Sequence, residues 1–287
     1  MEFDVLSDVL MGLRARGSVY FCEALAHPWN KVFDGQKHAS FHQVRQGTCR
    51  VTSEEGNFIL GPGDLVFLGP GVTHQLESYQ PEKGEQVDQS ETLLMCGYCE
   101  VTEHAYGSLS TIFPKMSIIR NDHLQQYAWL NSVLDQLSFE YRSTTPGSQL
   151  IVNKLTEVMV VELLRINFGR VEERNLLTAL KDKKIATALE NLHAEPEKNW
   201  TLQSLGEHIG MSRSGIAKRF TELVGIPMFE YLTNLRMQRA IDLLQTSDLR
   251  PADIAEKIGY ESVVAFTKAF KRHTGETPSK YRRSLYA

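Results

Sequence analysis

The sequence predicts a multi-domain protein of the α+β class, with a strand-rich N-terminal part, a helical middle and an all-helical C-terminal part. Three observations predict it. The 287 residues exceed one ordinary domain of roughly 100–200 residues. From Val19 to Ile119 short alternating or apolar runs are broken by glycine, whereas after Asn121 apolar residues recur at helical spacing. In the C-terminal third a block of residues is repeated: Leu205–Gly210 realigns on Ile254–Gly259, 49 positions later, and Phe220-x4-Gly225 on Phe270-x4-Gly275, 50 positions later.

With 42% hydrophobic and 23% charged residues the composition is that of a globular protein, which excludes collagen-like, disordered and disulfide-scaffold classes. No run approaches the roughly 18 apolar residues of a membrane span. The start, Met1-Glu2-Phe3-Asp4, lacks the pattern of a secretory signal, so a cytoplasmic protein without a membrane partner is expected. Four cysteines are too few for a disulfide framework. The net charge of −4 hides an asymmetry: residues 198–287 carry 14 Lys+Arg against 9 Asp+Glu, whereas residues 1–197 carry 17 against 26. A basic module of this kind points to a polyanion partner.

The N-terminal runs Val19–Ala24, Ala39–Arg45, Cys49–Thr52, Asn57–Leu60, Asp64–Leu68 and Thr92–Glu100 read as strands of an antiparallel sandwich or barrel. Gln46-Gly47 reads as a hairpin tip, Gly61-Pro62-Gly63-Asp64 as a second turn and Pro81–Glu91 as a surface loop. Leu124–Phe139, Gln149–Phe168 and the stretch Glu172–Glu197 read as helical, the last ending in a polar connector. Three regions result: 1–120, 121–190 and 191–287.

Each copy of the repeat reads as helix, tight turn, helix. Thr201 and Ser212 are placed as N-caps, and Pro251 at a first helical position. Gly210 and Gly259 occupy the turns. Ile216, Phe220 and Leu223 face inward, as do Phe266 and Phe270. Met228–Thr246, free of Gly and Pro, reads as one connecting helix of roughly 28 Å. This is the helix-turn-helix pattern, doubled, whose second helix enters the DNA major groove.

Residues 195–283 resemble the DNA-binding domain of AraC/XylS-type transcription regulators. The resemblance is carried by Leu205-x3-Ile209-Gly210-Met211-Ser212, Arg219-Phe220, Gly225-Ile226-Pro227, Leu235–Leu244, Ile254-Ala255-x2-Ile258-Gly259-Tyr260, Phe266-x3-Phe270-Lys271-Arg272 and Gly275-x-Thr277-Pro278-x2-Tyr281-Arg282. It implies base contacts from Arg213, Ser214, Ala217 and Lys218 in the first copy, and from Ser262, Val263, Val264, Thr267 and Lys268 in the second. Ala217, Val263 and Val264 cannot hydrogen-bond base edges but can touch thymine methyls. Lys218 and Lys268 donate to guanine or meet phosphate, or are solvated surface lysines. Arg219, Lys271, Arg272, Lys280 and Arg282 read as phosphate contacts or fold supports.

Residues 5–115 resemble the cupin-type sensor found at the N-terminus of one branch of these regulators, through Pro28-Trp29, Phe41-His42-x-Val44-x2-Gly47-x-Cys49, Gly63-Asp64-Leu65-Val66-x2-Gly69-Pro70-Gly71-x2-His74 and Cys96-Gly97-Tyr98. The resemblance implies a cupin-like β-barrel. Of the metal ligands of catalytic cupins only His74 stands in its place; the acid position falls on Ser40 and the histidine positions near Asp34 and Gln36. His38 and His42 share a strand face but lie roughly 13 Å apart. A metal at His42, His74 and Cys49 across the hairpin is one reading; Trp29, His42 and His74 lining an effector pocket, with no metal or other cofactor, is the reading adopted. Cys96-Gly97-Tyr98-Cys99 imitates a redox motif but lies in a strand, where its thiols point apart.

The resulting expectation is a sequence-specific transcription regulator, not an enzyme. It is an effector-responsive activator and a homodimer through the apolar helix 149–168, with double-stranded DNA, RNA polymerase and a small-molecule effector as partners. The alternatives are a ligand-independent regulator whose barrel serves only dimerisation or protein contact, and a catalytic cupin fused to a DNA-binding domain.

Overall fold

In the computed structural model, residues 4–13, 16–35, 37–79, 91–100, 113–124, 126–168 and 176–285 are described. Of the expected loop Pro81–Glu91, positions 81–90 lie outside them, as does Gln36, while Glu91 begins a strand rather than ending a loop. The chain divides into two compact units: the strands with the helices up to 168, and the N-terminal segment with everything after 171.

In the first unit β1 (Arg16–Ala26), β3 (Ala39–Gln46), β6 (Leu65–Leu68), β8 (Glu91–Glu100) and β9 (Met116–Ile119) form one antiparallel sheet in the order β1-β8-β3-β6-β9. A second sheet has the order β2-β7-β4-β5, with β2 (Asn30–Phe33), β4 (Cys49–Ser53), β5 (Gly56–Leu60) and β7 (His74–Ser78). The inward faces of both supply one core, including Val44, Val66 and Leu94 from the first sheet and Val51, Leu60 and Leu76 from the second. The described strands are thus two facing sheets rather than one closed barrel.

The expected hairpin at Gln46-Gly47 is not one: β3 pairs with β6 and β8, and β4 with β5 and β7. Gly47, at φ 77, carries the chain from one sheet to the other, and a Cβ there would meet the Glu91 carbonyl oxygen at 2.4 Å. The second turn holds its expected place. Its Asp64 carboxylate accepts from Gly61 N, Arg120 Nη1 and Asn121 N, which ties the turn to the chain after β9. After a short α2 (Asn121–Leu124), α3 (Ala128–Arg142) and α4 (Ser148–Phe168) pack on each other, and α4 lies on β1. The helix expected from Leu124 begins at Ala128. On α4, Val152, Met159, Leu163 and Ile166 are buried while Leu150, Ile151 and Val158 are exposed.

The second unit is all helical. The single helix expected over Glu172–Glu197 is two, α5 (Leu176–Lys181) and α6 (Lys183–Ala194), because Asp182 accepts from Lys184 N and Ile185 N and starts a new helix. Positions 172–175 lie outside the described residues. These helices, expected in the middle region, pack against α7 (Leu202–Ile209) and α8 (Arg213–Val224). The rest follows as α9 (Met228–Thr246), α10 (Pro251–Lys257), α11 (Val263–Thr274) and α12 (Pro278–Ser284). Thr201 and Ser212 cap α7 and α8 with their side chains, and Gly210 is left-handed at φ 65. An N-terminal helix that periodicity did not reveal, α1 (Val5–Leu13), buries Val5 and Val9 and packs on α6 and α9.

Candidate nucleic-acid interface and sensor site

The two reading helices, α8 and α11, are built alike. Ser212 Oγ accepts from Gly215 N and Ser262 Oγ from Ala265 N; Gly225 and Gly275 close the far ends in the left-handed conformation. Ile216 and Phe220 in one, Phe266 and Phe270 in the other, are wholly buried. Leu223, expected inward, is half-buried, and Val224 takes the core position beside it. On the opposite faces Arg213, Ser214 and Lys218 are exposed and Ala217 half-buried; Ser262, Val263, Val264 and Lys268 are exposed and Thr267 half-buried. Each expected set therefore lies together on the outer side of its own helix, and Lys271 and Arg272 extend the second.

The cations at these helices divide by what they touch. Lys218 lies 3.8 Å from Glu222, one turn along the same exposed face. Arg219 hydrogen-bonds the carboxylate of Asp182, so it braces α8 against the start of α6. Burial raises the Asp182 pKa, but Arg219 and two backbone N–H groups outweigh it and hold the carboxyl below its usual range. Lys280 pairs with Glu276 at 2.6 Å, and Arg282 donates to the carbonyls of Leu244 and Ser247 at the end of α9. Arg219 and Arg282 are fold supports.

In the strand unit His42 and His74 meet between the sheets, their Nε2 atoms 2.8 Å apart. They are 0% and 3% exposed, and the Phe33 ring lies 4.8 Å from each. The tautomers follow from the neighbours. His74 Nδ1 faces the Val72 carbonyl at 3.0 Å and donates to it, so its Nε2 accepts, and His42 Nε2 donates. His42 Nδ1 is left as a buried lone pair without a partner among the described residues. Burial, then the neighbouring His74, pushes the His42 pKa well below the ordinary histidine value; burial also lowers that of His74, against the pull of the Val72 carbonyl.

This pair does not fit the metal centre of catalytic cupins. Ser40 offers no carboxylate, and no group of three His, Cys, Asp or Glu converges among the described residues. Cys49 does not face His42 across a hairpin, since β3 and β4 belong to different sheets. His38 lies apart, its ring 5.0 Å from that of Tyr98. All four cysteines are free and buried, and burial pushes the Cys99 thiol up to about 12 and Cys96 well above its ordinary value, the reverse of a reactive thiolate.

Trp29 is not beside the histidines. Its indole donates to Thr92 Oγ1 at 3.3 Å, and it walls an open cleft of about 560 Å³ with Pro28, Asn30, Arg50, Glu77 and Ser78. Asn30 pairs with Glu77 and Phe33 with His74 on the β2–β7 ladder, so cleft and histidine pair sit three residues, roughly 10 Å, apart along the same strands. Arg50 and Glu77 were invisible as site residues in the sequence. The β4–β7 register brings them together, and no local signal encodes it.

Residues 4–169 match the family described as Cupin, and residues 205–284 the family described as Helix-turn-helix domain. The chain is 28% identical to the RCS-specific HTH-type transcriptional activator RclR of Escherichia coli (strain K12) over 287 residues, 98% of both chains. It is 26% identical to the HTH-type transcriptional regulator AlkR of Acinetobacter baylyi over 98% of this chain and 99% of that one. A putative AraC-like transcription regulator of Streptomyces lividans is 29% identical over 98% of each. No helix among the described residues is long and apolar enough to cross a membrane. With a cupin domain ahead of two capped reading helices, each buried on one face and exposed on the other, the chain belongs to the AraC/XylS family of DNA-binding transcription regulators.

Proposed function

We propose that this regulator is a cytoplasmic, effector-responsive activator that acts as a homodimer, contacts RNA polymerase at its promoters and carries out no catalysis of its own. The observation that carries the sensing role is the cleft at Trp29, whose floor shares the β2–β7 ladder with the enclosed His42–His74 pair. A small molecule held between the indole and the Arg50–Glu77 pair would act on β2 and β7, whose Phe33–His74 end meets the buried His42 with its unpartnered Nδ1. Trp29 binds, and the histidines transmit. The misfit of the donor set to a metal centre supports a metal-free sensor, and the exposed Leu150, Ile151 and Val158 on α4 support self-association. The relative named a transcriptional activator, similar over nearly its whole length, supports the sign of regulation.

On the DNA side, Arg213, Ser214, Ala217 and Lys218 meet one major-groove segment and Ser262, Val263, Val264, Thr267 and Lys268 the next, with Lys271 and Arg272 on phosphates. The roughly 28 Å of α9 approaches the ~34 Å between successive major-groove faces. The test is a promoter reporter with a small-molecule screen: Trp29→Ala and Arg50→Ala are expected to abolish induction while DNA binding without inducer stays unchanged. Normal induction in both variants overturns the cleft assignment. A response that needs added metal, with stoichiometric metal in the purified protein, overturns the metal-free sensor.

A further inference from the structure

Because the two reading helices stand 50 positions apart in a repeat, each position in one has a counterpart in the other. The residues that folding requires agree: Ser212 and Ser262 cap, Phe220 and Phe270 are buried, and Gly225 and Gly275 terminate. Of the outward residues Lys218 and Lys268 agree, and others do not. Arg213 and Ser214 are replaced by Val263 and Val264, and Thr221 and Glu222 by Lys271 and Arg272.

Val263 and Val264 are 42% and 63% exposed in the first turn of α11. Folding gives no reason for them there. They leave apolar surface in water and are weak helix formers. Along the same outer side come Lys268, Lys271 and Arg272, all exposed and without an ion pair among the described residues. An apolar tip backed by three cations suits one surface in particular, a major groove. There the phosphates supply the negative charge, and the 5-methyl of thymine is the apolar group on a base edge. The first helix has the opposite character, with a guanidinium and a hydroxyl at its tip and a carboxylate, Glu222, beside Lys218.

We infer that the second helix-turn-helix is a thymine-methyl reader, in which Val263 and Val264 seat on the methyl groups of one half-site, while the first reads polar base edges through Arg213 and Ser214. The inference rests on the DNA-binding function and extends it to the chemistry of the operator. The operator is chemically asymmetric, and the asymmetry sets the direction in which the head lies on it.

The test uses the full chain and the duplex it selects from a random pool. Each thymine is replaced in turn by deoxyuridine, which pairs identically and lacks only the methyl. Uracil is expected to weaken binding about fourfold per methyl at one or two positions in one half of the site and to be neutral in the other half. The exposed double variant Val263→Ser, Val264→Ser is expected to lose that sensitivity, and Arg213→Ala to keep it. Uracil that is neutral throughout, or a penalty that persists in the serine variant, overturns the inference and leaves sequence-specific DNA binding standing. Failure to select any duplex overturns both.

Discussion

Asp8 accepts the Nδ1 proton of His193 at 2.5 Å, a bond that joins the N-terminal helix to a buried imidazole 185 positions later. His193 Nε2 in turn faces the Tyr231 hydroxyl at 2.6 Å, and Arg239 donates to the other oxygen of Asp8 at 2.7 Å. Four side chains from α1, α6 and α9 form one polar chain inside the helical unit. The connecting helix between the two reading heads is therefore held to that carboxylate twice, directly at Arg239 and through His193 at Tyr231.

Removing that carboxylate leaves a buried N–H and a partly buried guanidinium without their acceptor. Asp8→Ala is expected to lower the stability of the helical unit by about 2–3 kcal/mol. Asp8→Asn, which keeps an acceptor for His193, is expected to cost less. Thermal unfolding of the two variants beside the parent checks the order; equal, unchanged midpoints would show that the Asp8 carboxylate contributes nothing to the head.

Acid acts on both units in the same direction. Burial lowers the pKa of His193, and it lowers His42 and His74 in the strand unit, so each is neutral when folded. Below the ordinary value of about 6.5 the unfolded chain takes up protons that the folded chain refuses, and stability falls as the pH falls. Asp8 adds a second loss further down: burial raises its pKa, but His193 and Arg239 outweigh it, so its contribution persists until the pH drops below the ordinary carboxylate range. Melting temperatures are expected to decline from pH 7 to 5. In the double variant His42→Leu, His74→Leu the strand unit is expected to lose most of that slope, and an unaltered slope would place its acid sensitivity elsewhere.

The reading heads show why so much of the helical part was legible in the sequence. Ser212, Gly210, Pro251 and Phe220 act on neighbours within a few residues, and capping, turn and core roles are written at that range. The strand unit is different. Gln46-Gly47 has the composition of a hairpin, yet Gly47 passes the chain between sheets, a choice made by pairing partners distant in sequence. β2, β7 and β9 are not among the runs read as strands, although β4, β5 and β6, which are, have the same four or five residues. His42 and His74 were recognisable as inward-facing, but Arg50 and Glu77 became neighbours only through cross-strand register. Asp8 and His193 carried no local signal at all, since their partnership is entirely tertiary.

Phe220 and Phe270 are both wholly buried at equivalent places of the two heads. Phe220→Ala and Phe270→Ala are each expected to destabilise the helical unit by about 3–5 kcal/mol, comparable with the whole stability of a marginal domain. The strand unit has its own core and is expected to keep its transition. Calorimetry that shows both transitions lost together would mean that the two units fold as one.

Lys218 and Lys268 stand at equivalent positions but not in equivalent fields. Glu222 lies 3.8 Å from Lys218, whereas the counterpart of Glu222 is Arg272, near Lys268 on the same exposed side. A carboxylate at a DNA-facing surface repels phosphate and competes for the lysine, so Glu222→Gln is expected to tighten binding and to steepen its dependence on salt. Lys268→Ala is expected to cost about 1–3 kcal/mol if the amine donates to a base, with relaxed preference at one position. If it meets phosphate, the loss is uniform across sequences and the salt slope falls by about one. Lys218→Ala is expected to cost less than Lys268→Ala in the parent and to approach it in the Glu222→Gln background, because the carboxylate no longer holds the amine. Binding isotherms at several salt concentrations for Lys268→Ala and for the four combinations of Lys218 and Glu222 separate these outcomes. Weaker binding on removal of Glu222 would show that this face of α8 does not meet the phosphates.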